Sequence, residues 1–235
     1  MSDLGTHGQR VDDLLAEPAR HYYGLYPAVV SDNQDPDGQG RVKVRLPWAP
    51  DSGSAEYDAW ARLATLNAGN GRGSWLVPEV GDEVLVGFGG GSPDQPFVVG
   101  SLWNGSDDPP EQMDAGNNIR SLTSRSGIRI TMDDTSAAVK LTLSTPGGRT
   151  VTLDDAASTI TLDDGNGNSL QLSPGQVTLT AASALDIRAG TVSIDCGMAD
   201  VSSPIWTYSG VIDCSTMIAS AVVGASYTPG AGNVW

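Results

Sequence analysis

The sequence predicts an all-β protein in two parts, a small closed barrel followed by a narrow, repetitive β array. Three observations predict it. Residues 21–104 carry five runs in which apolar and polar side chains alternate, separated by turns rich in Gly, Pro and Asp. From residue 121 onward, short runs recur with Val, Ile or Leu at alternate sites. Bulky core residues are also scarce: aromatics make up 6% of the 235 residues while Gly reaches 29, which suits narrow repetitive β structure better than one large globule.

Residues 1–20 read as an N-terminal arm. Val11, Leu14 and Leu15 fall at helical spacing, and Pro18 ends the pattern. Five strands are then expected over residues 21–104: Tyr22–Val30, Arg41–Leu46, a run near Trp60–Leu66, Glu83–Phe88 and Phe97–Leu102. In the second, Val42, Val44 and Leu46 alternate with Arg41, Lys43 and Arg45, the period of two of a half-buried strand. The loops are Asp32–Gly40, Pro50–Ser54, Asn67–Ser74 and Gly89–Gln95. Five strands with this punctuation fit a Greek-key OB barrel.

Residues 105–120, opening Gly105-Ser106-Asp107-Asp108-Pro109-Pro110, read as a linker. Beyond them strands are expected to begin at Ile128, Val139, Val151, Ile160, Leu170, Val177, Leu185 and Val192. Hairpin or tight-corner signals divide them: Asp133-Asp134-Thr135, Pro146-Gly147-Gly148, Asp154-Asp155, Gly165-Asn166-Gly167-Asn168 and Ser173-Pro174-Gly175. From Val151 the starts are spaced nine, ten, seven, eight and seven residues apart, shortening toward the C-terminus. Strands this short cannot enclose a core in one chain. Three chains can, each supplying one face of a triangular prism. The expected needle spans 121–200, with Val177, Leu179, Leu185, Ile187, Val192 and Ile194 along its axis. Residues 201–235 break the repeat and end in an apolar tip segment, where Tyr227, Pro229, Val234 and Trp235 are the expected docking residues for the trimer or a cap protein.

Charge and composition exclude several functions. A net charge of −15 lacks the basic footprint that nucleic-acid binders use, and it disfavours an anionic membrane surface. The basic row Arg41, Lys43, Arg45 therefore reads as a solvated or protein-contacting outer face, not a single-strand platform. Asn33, Asp35, Asp37 and Gly38 imitate the start of a calcium loop, but Val44 stands where the closing Glu belongs. Gly87–Gly91 resembles a phosphate loop without its helix or Lys, so it reads as a turn. His7 and His21 lie near no Cys or acidic cluster at ligand spacing, so neither a metal nor any other cofactor is expected. Adjacent acids such as Asp82-Glu83 point to opposite strand faces, and no catalytic motif is present; an enzyme is not expected. Cys196 and Cys214 read as two buried thiols. No signal-peptide pattern opens the chain and no apolar run is long enough to span a bilayer, so cytoplasmic synthesis and assembly are expected.

Three motifs carry a more specific message: Gly40-Arg41-Val42-Lys43-Val44-Arg45-Leu46-Pro47-Trp48, Pro78-Glu79-Val80-Gly81-Asp82-Glu83-Val84-Leu85-Val86, and Pro96-Phe97-Val98-Val99-Gly100-Ser101-Leu102-Trp103-Asn104. Together with Trp60-Ala61-Arg62 they resemble the OB domain of the spike proteins of contractile injection systems, the family of phage baseplate assembly protein V and VgrG. The resemblance implies an OB-fold collar followed by an intertwined trimeric β-prism or triangular β-helix. It implies a homotrimer that acts as the central puncturing needle of a phage tail or injection machine, driven through a target envelope by sheath contraction. The membrane is then met only during puncture. VgrG chains carry a hub module ahead of the OB domain, whereas about 20 residues precede it here, so a separate hub partner is expected. Some phage spikes place a lysozyme domain where this chain has residues 105–120, and no toxin-like extension is expected after the needle. A PAAR-type tip or effector would then be a separate protein at the C-terminal end. A trimeric tail fibre that binds or degrades surface polysaccharide is the alternative reading.

Overall fold

The computed structural model describes residues 21–47 and 57–225. Among them the regular structure is strand throughout, apart from one 3₁₀ turn at Gly89–Gly91. Two compact units divide between Ala184 and Leu185.

The first unit opens with the barrel. Its strands are β1 (Leu25–Asp32), β2 (Arg41–Arg45), β3 (Asp58–Leu63), β6 (Glu83–Phe88) and β7 (Pro96–Ser101), with a small hairpin arm, β4 (Ala68–Gly69) and β5 (Arg72–Gly73), inserted after β3. The barrel closes in the order β1-β2-β3-β7-β6. Every ladder is antiparallel except β3–β7, the parallel pair that shuts it. Register shifts at Val30/Asp32 and Leu85/Val86 bend the strands, which a sheet of five strands needs in order to close. The alternation seen in the sequence becomes the core: Ala28, Val30, Val42, Val44, Leu46, Ala61, Val84, Val86, Phe88 and Val98 are buried together. Tyr22, Tyr26 and Tyr57 gather around Phe88, with Tyr22 stacked on it at 4.7 Å between ring centroids. The Tyr57 hydroxyl donates to the Pro93 carbonyl at 2.6 Å. At the other end of β2, Gly40 has φ +73, and an added Cβ would lie 3.1 Å from the Trp75 ring. Both the backbone and the packing there require glycine.

The rest of the first unit is one open antiparallel sheet. Its strands are β8 (Ile119–Thr123), β9 (Arg129–Asp133), β10 (Lys140–Ser144), β11 (Thr150–Asp154), β12 (Thr159–Asp163), β13 (Ser169–Ser173) and β14 (Gln176–Thr180). They pair strictly in chain order, so the sheet is a meander of hairpins. Asx turns make the corners. Asp133, Asp154, Asp163 and Asp164 each accept backbone N–H bonds two to four residues ahead, as at Asp163 Oδ1 from Gly165. The sheet starts at Ile119, inside the stretch that composition alone assigns to a linker. Arg125, in the turn after β8, pairs with Glu79 of the barrel segment at 3.0 Å.

The second unit, described from Leu185 to residue 225, carries no strand in the single chain. The expected strand starts at Leu185 and Val192 thus find no partner within it. Isolated strands of a few residues cannot satisfy their backbone groups alone. Cys196 and Cys214, expected to be buried, are exposed here for the same reason. Local bonds remain, such as the Tyr208 hydroxyl donating to Val211 O at 2.8 Å.

Candidate self-association surface

The register of the seven-stranded sheet aligns its side chains into continuous rows. One row is Leu122, Ile130, Leu143, Val151, Leu162, Leu170 and Leu179, each directly opposite the next. A second, on the same face, is Arg120, Met132, Leu141, Leu153, Ile160, Leu172 and Val177. The opposite face carries Ser121, Thr131, Thr142, Thr152, Thr161, Gln171 and Thr178 in its central row. The sheet is therefore apolar on one side and polar on the other. Among the described residues nothing buries the apolar side. Ile130 is 39% exposed, Leu162 43% and Val177 68%. An apolar face this continuous marks an interaction surface.

The polar face is stitched by charge. Lys140 Nζ sits 2.8 Å from Asp154 Oδ2, and this partner holds the Asp154 carboxyl below its ordinary range. Glu111 pairs with Arg129, and the neighbouring Ser121 hydroxyl and Arg129 guanidinium hold its carboxyl below the ordinary range.

The barrel's outer face resolves the candidate sites seen there. Asp35, whose side chain is 5% exposed, accepts bonds from the backbone N–H groups of Asp37, Gln39 and Arg41. The Arg41 guanidinium reaches Asp35 Oδ1 at 2.7 Å and Asp37 Oδ2 at 2.6 Å. Arg41 holds the Asp35 carboxyl far below the usual carboxylate range. The loop's acids are thus spent on folding the loop. Lys43 Nζ lies 2.7 Å from Asp58, so the basic row is largely neutralised by neighbouring carboxylates. Among the described residues no group of three His, Cys, Asp or Glu side chains is placed to hold a metal.

Of the residues expected on a needle axis, Val177 and Leu179 occupy the last places of the two apolar rows. Leu185, Ile187, Val192 and Ile194 lie in the second unit, exposed and outside any strand. Tyr227, Pro229, Val234 and Trp235 fall outside the described residues. The rows also contain upstream members, from Leu122 to Leu172, whose alternation was visible but whose shared face was not.

The barrel's sequence has relatives. The family model for the type VI secretion system/phage-baseplate injector OB domain matches residues 26–103. The closed barrel fills the same interval. This barrel is similar to the VgrG-like injector OB domain. Over 75 residues, 32% of this chain, it is 43% identical to the type VI secretion system spike protein VgrG3 of Vibrio cholerae serotype O1, covering 7% of that protein. Over 113 residues, 46% of this chain, it is 38% identical to the spike protein VgrG4b of Pseudomonas aeruginosa, covering 14% of it. It is 37% identical over 75 residues, again 32% of this chain, to the actin cross-linking toxin VgrG1 of Vibrio cholerae, covering 7% of that protein. The matches span between 7% and 14% of the relatives' length. The barrel is followed here by the amphipathic sheet, and no helix among the described residues is long and apolar enough to cross a membrane.

Proposed function

We propose that this chain is the central spike of a phage tail baseplate or type VI-like contractile injection system, acting as a homotrimer. The observation that carries the proposal is the uncovered apolar face of the sheet, joined directly to an injector OB domain. Three copies packed face to face bury both apolar rows of each, leaving the threonine faces in water. The three barrels then form a collar, which offers the surface on which a baseplate hub protein sits. In the second unit, the alternating apolar residues Leu185, Ile187, Val192 and Ile194 pack against their counterparts in the other two copies once partner strands are present. The terminal segment with Tyr227, Pro229, Val234 and Trp235 is the docking place for a PAAR-type tip or effector.

The role is mechanical. The strands of the sheet pair within each chain, packing between chains covers their apolar face, and the stability of such an assembly is inseparable from its formation. Sheath contraction drives the assembled rod through the target envelope, with no covalent step on this chain. The deciding measurement is the mass of the purified full-length protein by sedimentation or light scattering. A particle of three times the 24.3 kDa chain is expected. A stable monomer at micromolar concentration overturns the reading.

A further inference from the structure

We propose that the Arg120–Asp134 ion pair is the register lock of the self-association, a role that rests on the three-copy reading above. The apolar rows have a weakness as a recognition surface. Their members are nearly equivalent and recur at every strand, about 4.8 Å apart. Hydrophobic contact is non-directional, so one face can slide past the next by a strand spacing and still bury leucine against leucine. Something on the face must make one alignment better than its neighbours.

Arg120 is the only charged side chain in either row. It stands directly opposite Met132, at the β8 end of the row that runs through Leu141, Leu153, Ile160 and Leu172 to Val177. Its Nη1 donates to Asn117 O at 3.0 Å and reaches Asp134 Oδ2 at 2.9 Å. Asp134 lies just past the end of β9, where its carboxylate meets Arg120 at the margin of the sheet. Arg120 and Asp134 are 52% and 56% exposed, open to a neighbouring copy. A guanidinium has five N–H donors in a fixed fork, and these two contacts use only one of its nitrogens. In aligned copies Arg120 has its own Asp134 and the Asp134 of its neighbour within the same layer, and opposite charges meet. In a slipped pair the charges of one copy lie against the apolar rows of the next. Stranding a charge among apolar side chains is far costlier than losing one apolar layer. A single polar position in an otherwise apolar seam sets coiled-coil register in the same way.

The test removes both charges together, since removing one would leave the other unpaired. A nitroxide is attached through Ala156→Cys, in a turn of the sheet, on the full chain carrying Cys196→Ser and Cys214→Ser. Distances between labels are then read by pulsed electron paramagnetic resonance. The parent is expected to give one intersubunit distance, as a closed three-fold ring requires. Arg120→Leu/Asp134→Asn is expected to keep the trimeric mass but to add longer distances from copies offset by about 4.8 Å or its multiples. The exchange Arg120→Asp/Asp134→Arg is expected to restore the single distance. A single distance in the uncharged variant overturns the lock while leaving the trimer standing. Loss of the trimer in that variant overturns it too, by making the pair a source of affinity and not of alignment. A monomeric parent overturns the three-copy reading and the lock with it.

Discussion

At the scale of single residues, Asp35 shows how a functional-looking motif is consumed by the fold. Its spacing with Asn33, Asp37 and Gly38 invites a cation, yet its carboxylate is filled by three backbone N–H groups and the Arg41 guanidinium. Asp35→Asn keeps the shape and removes the charge, so it is expected to lower the melting temperature by a few degrees at pH 7. The pH dependence has a definite sign. The native carboxyl titrates below its unfolded value because Arg41 stabilises the ionised form. The stabilisation is therefore fully present above about pH 4, the ordinary carboxylate value, and is lost as the pH falls from there toward the lowered native value. Denaturation of the two proteins followed from pH 7 to pH 2 should show their difference shrinking below about pH 4. A difference that is constant across this range would remove Arg41 as the cause.

At the scale of elements, parity within a strand decides which side chains face a partner. Leu162 and Thr161 are neighbours on β12 but lie on opposite faces of the sheet. Leu162→Asp puts a carboxylate into the apolar rows and is expected to prevent assembly. Thr161→Asp changes the solvent face and is expected to leave the assembled mass unchanged. Sedimentation of both variants checks this, and equal behaviour would mean that the apolar face is not the contact. This parity was legible in the sequence, because alternation is a property of neighbouring residues. The strands of the barrel were legible for the same reason, as was Glu83–Phe88 to its ends. The 3₁₀ turn at Gly89–Gly91 likewise answers the glycine run with a hairpin corner. The start of the sheet at Ile119 was not legible. Asn117 and Asn118 look like loop, and only pairing with β9 turns the next five residues into a strand. The strands expected to start at Leu185 and Val192 are absent from the described residues, which find no neighbour there to pair with.

At the scale of the whole molecule, charge and packing oppose each other. Each chain carries −15, so bringing three together concentrates negative charge. Apolar burial has to exceed that repulsion, and salt screens the repulsion without weakening the burial. Raising the salt concentration from about 0.05 M to about 0.5 M, which shortens the Debye length roughly threefold, is expected to shift any monomer–trimer equilibrium toward the trimer. Dissociation at high salt would instead show that ion pairs between chains hold the assembly.

The sequence by itself determined the class of the protein, the barrel with its strands and the inward positions of β2 and β6, the corners of the repeat, and the resemblance of the Gly40–Asn104 stretch to injector spikes. Each of these is written in neighbouring residues or in a short contiguous motif. The tertiary structure alone decided that seven strands share one register, that their apolar residues merge into two rows on one face, that Arg120 stands among them, and that Asp35 is occupied by Arg41. These are relations between strands. Where a strand is paired, and how far it is slid along its neighbour, follows from hydrogen bonds and packing between distant residues, and a one-residue slip would send every side chain to the other face.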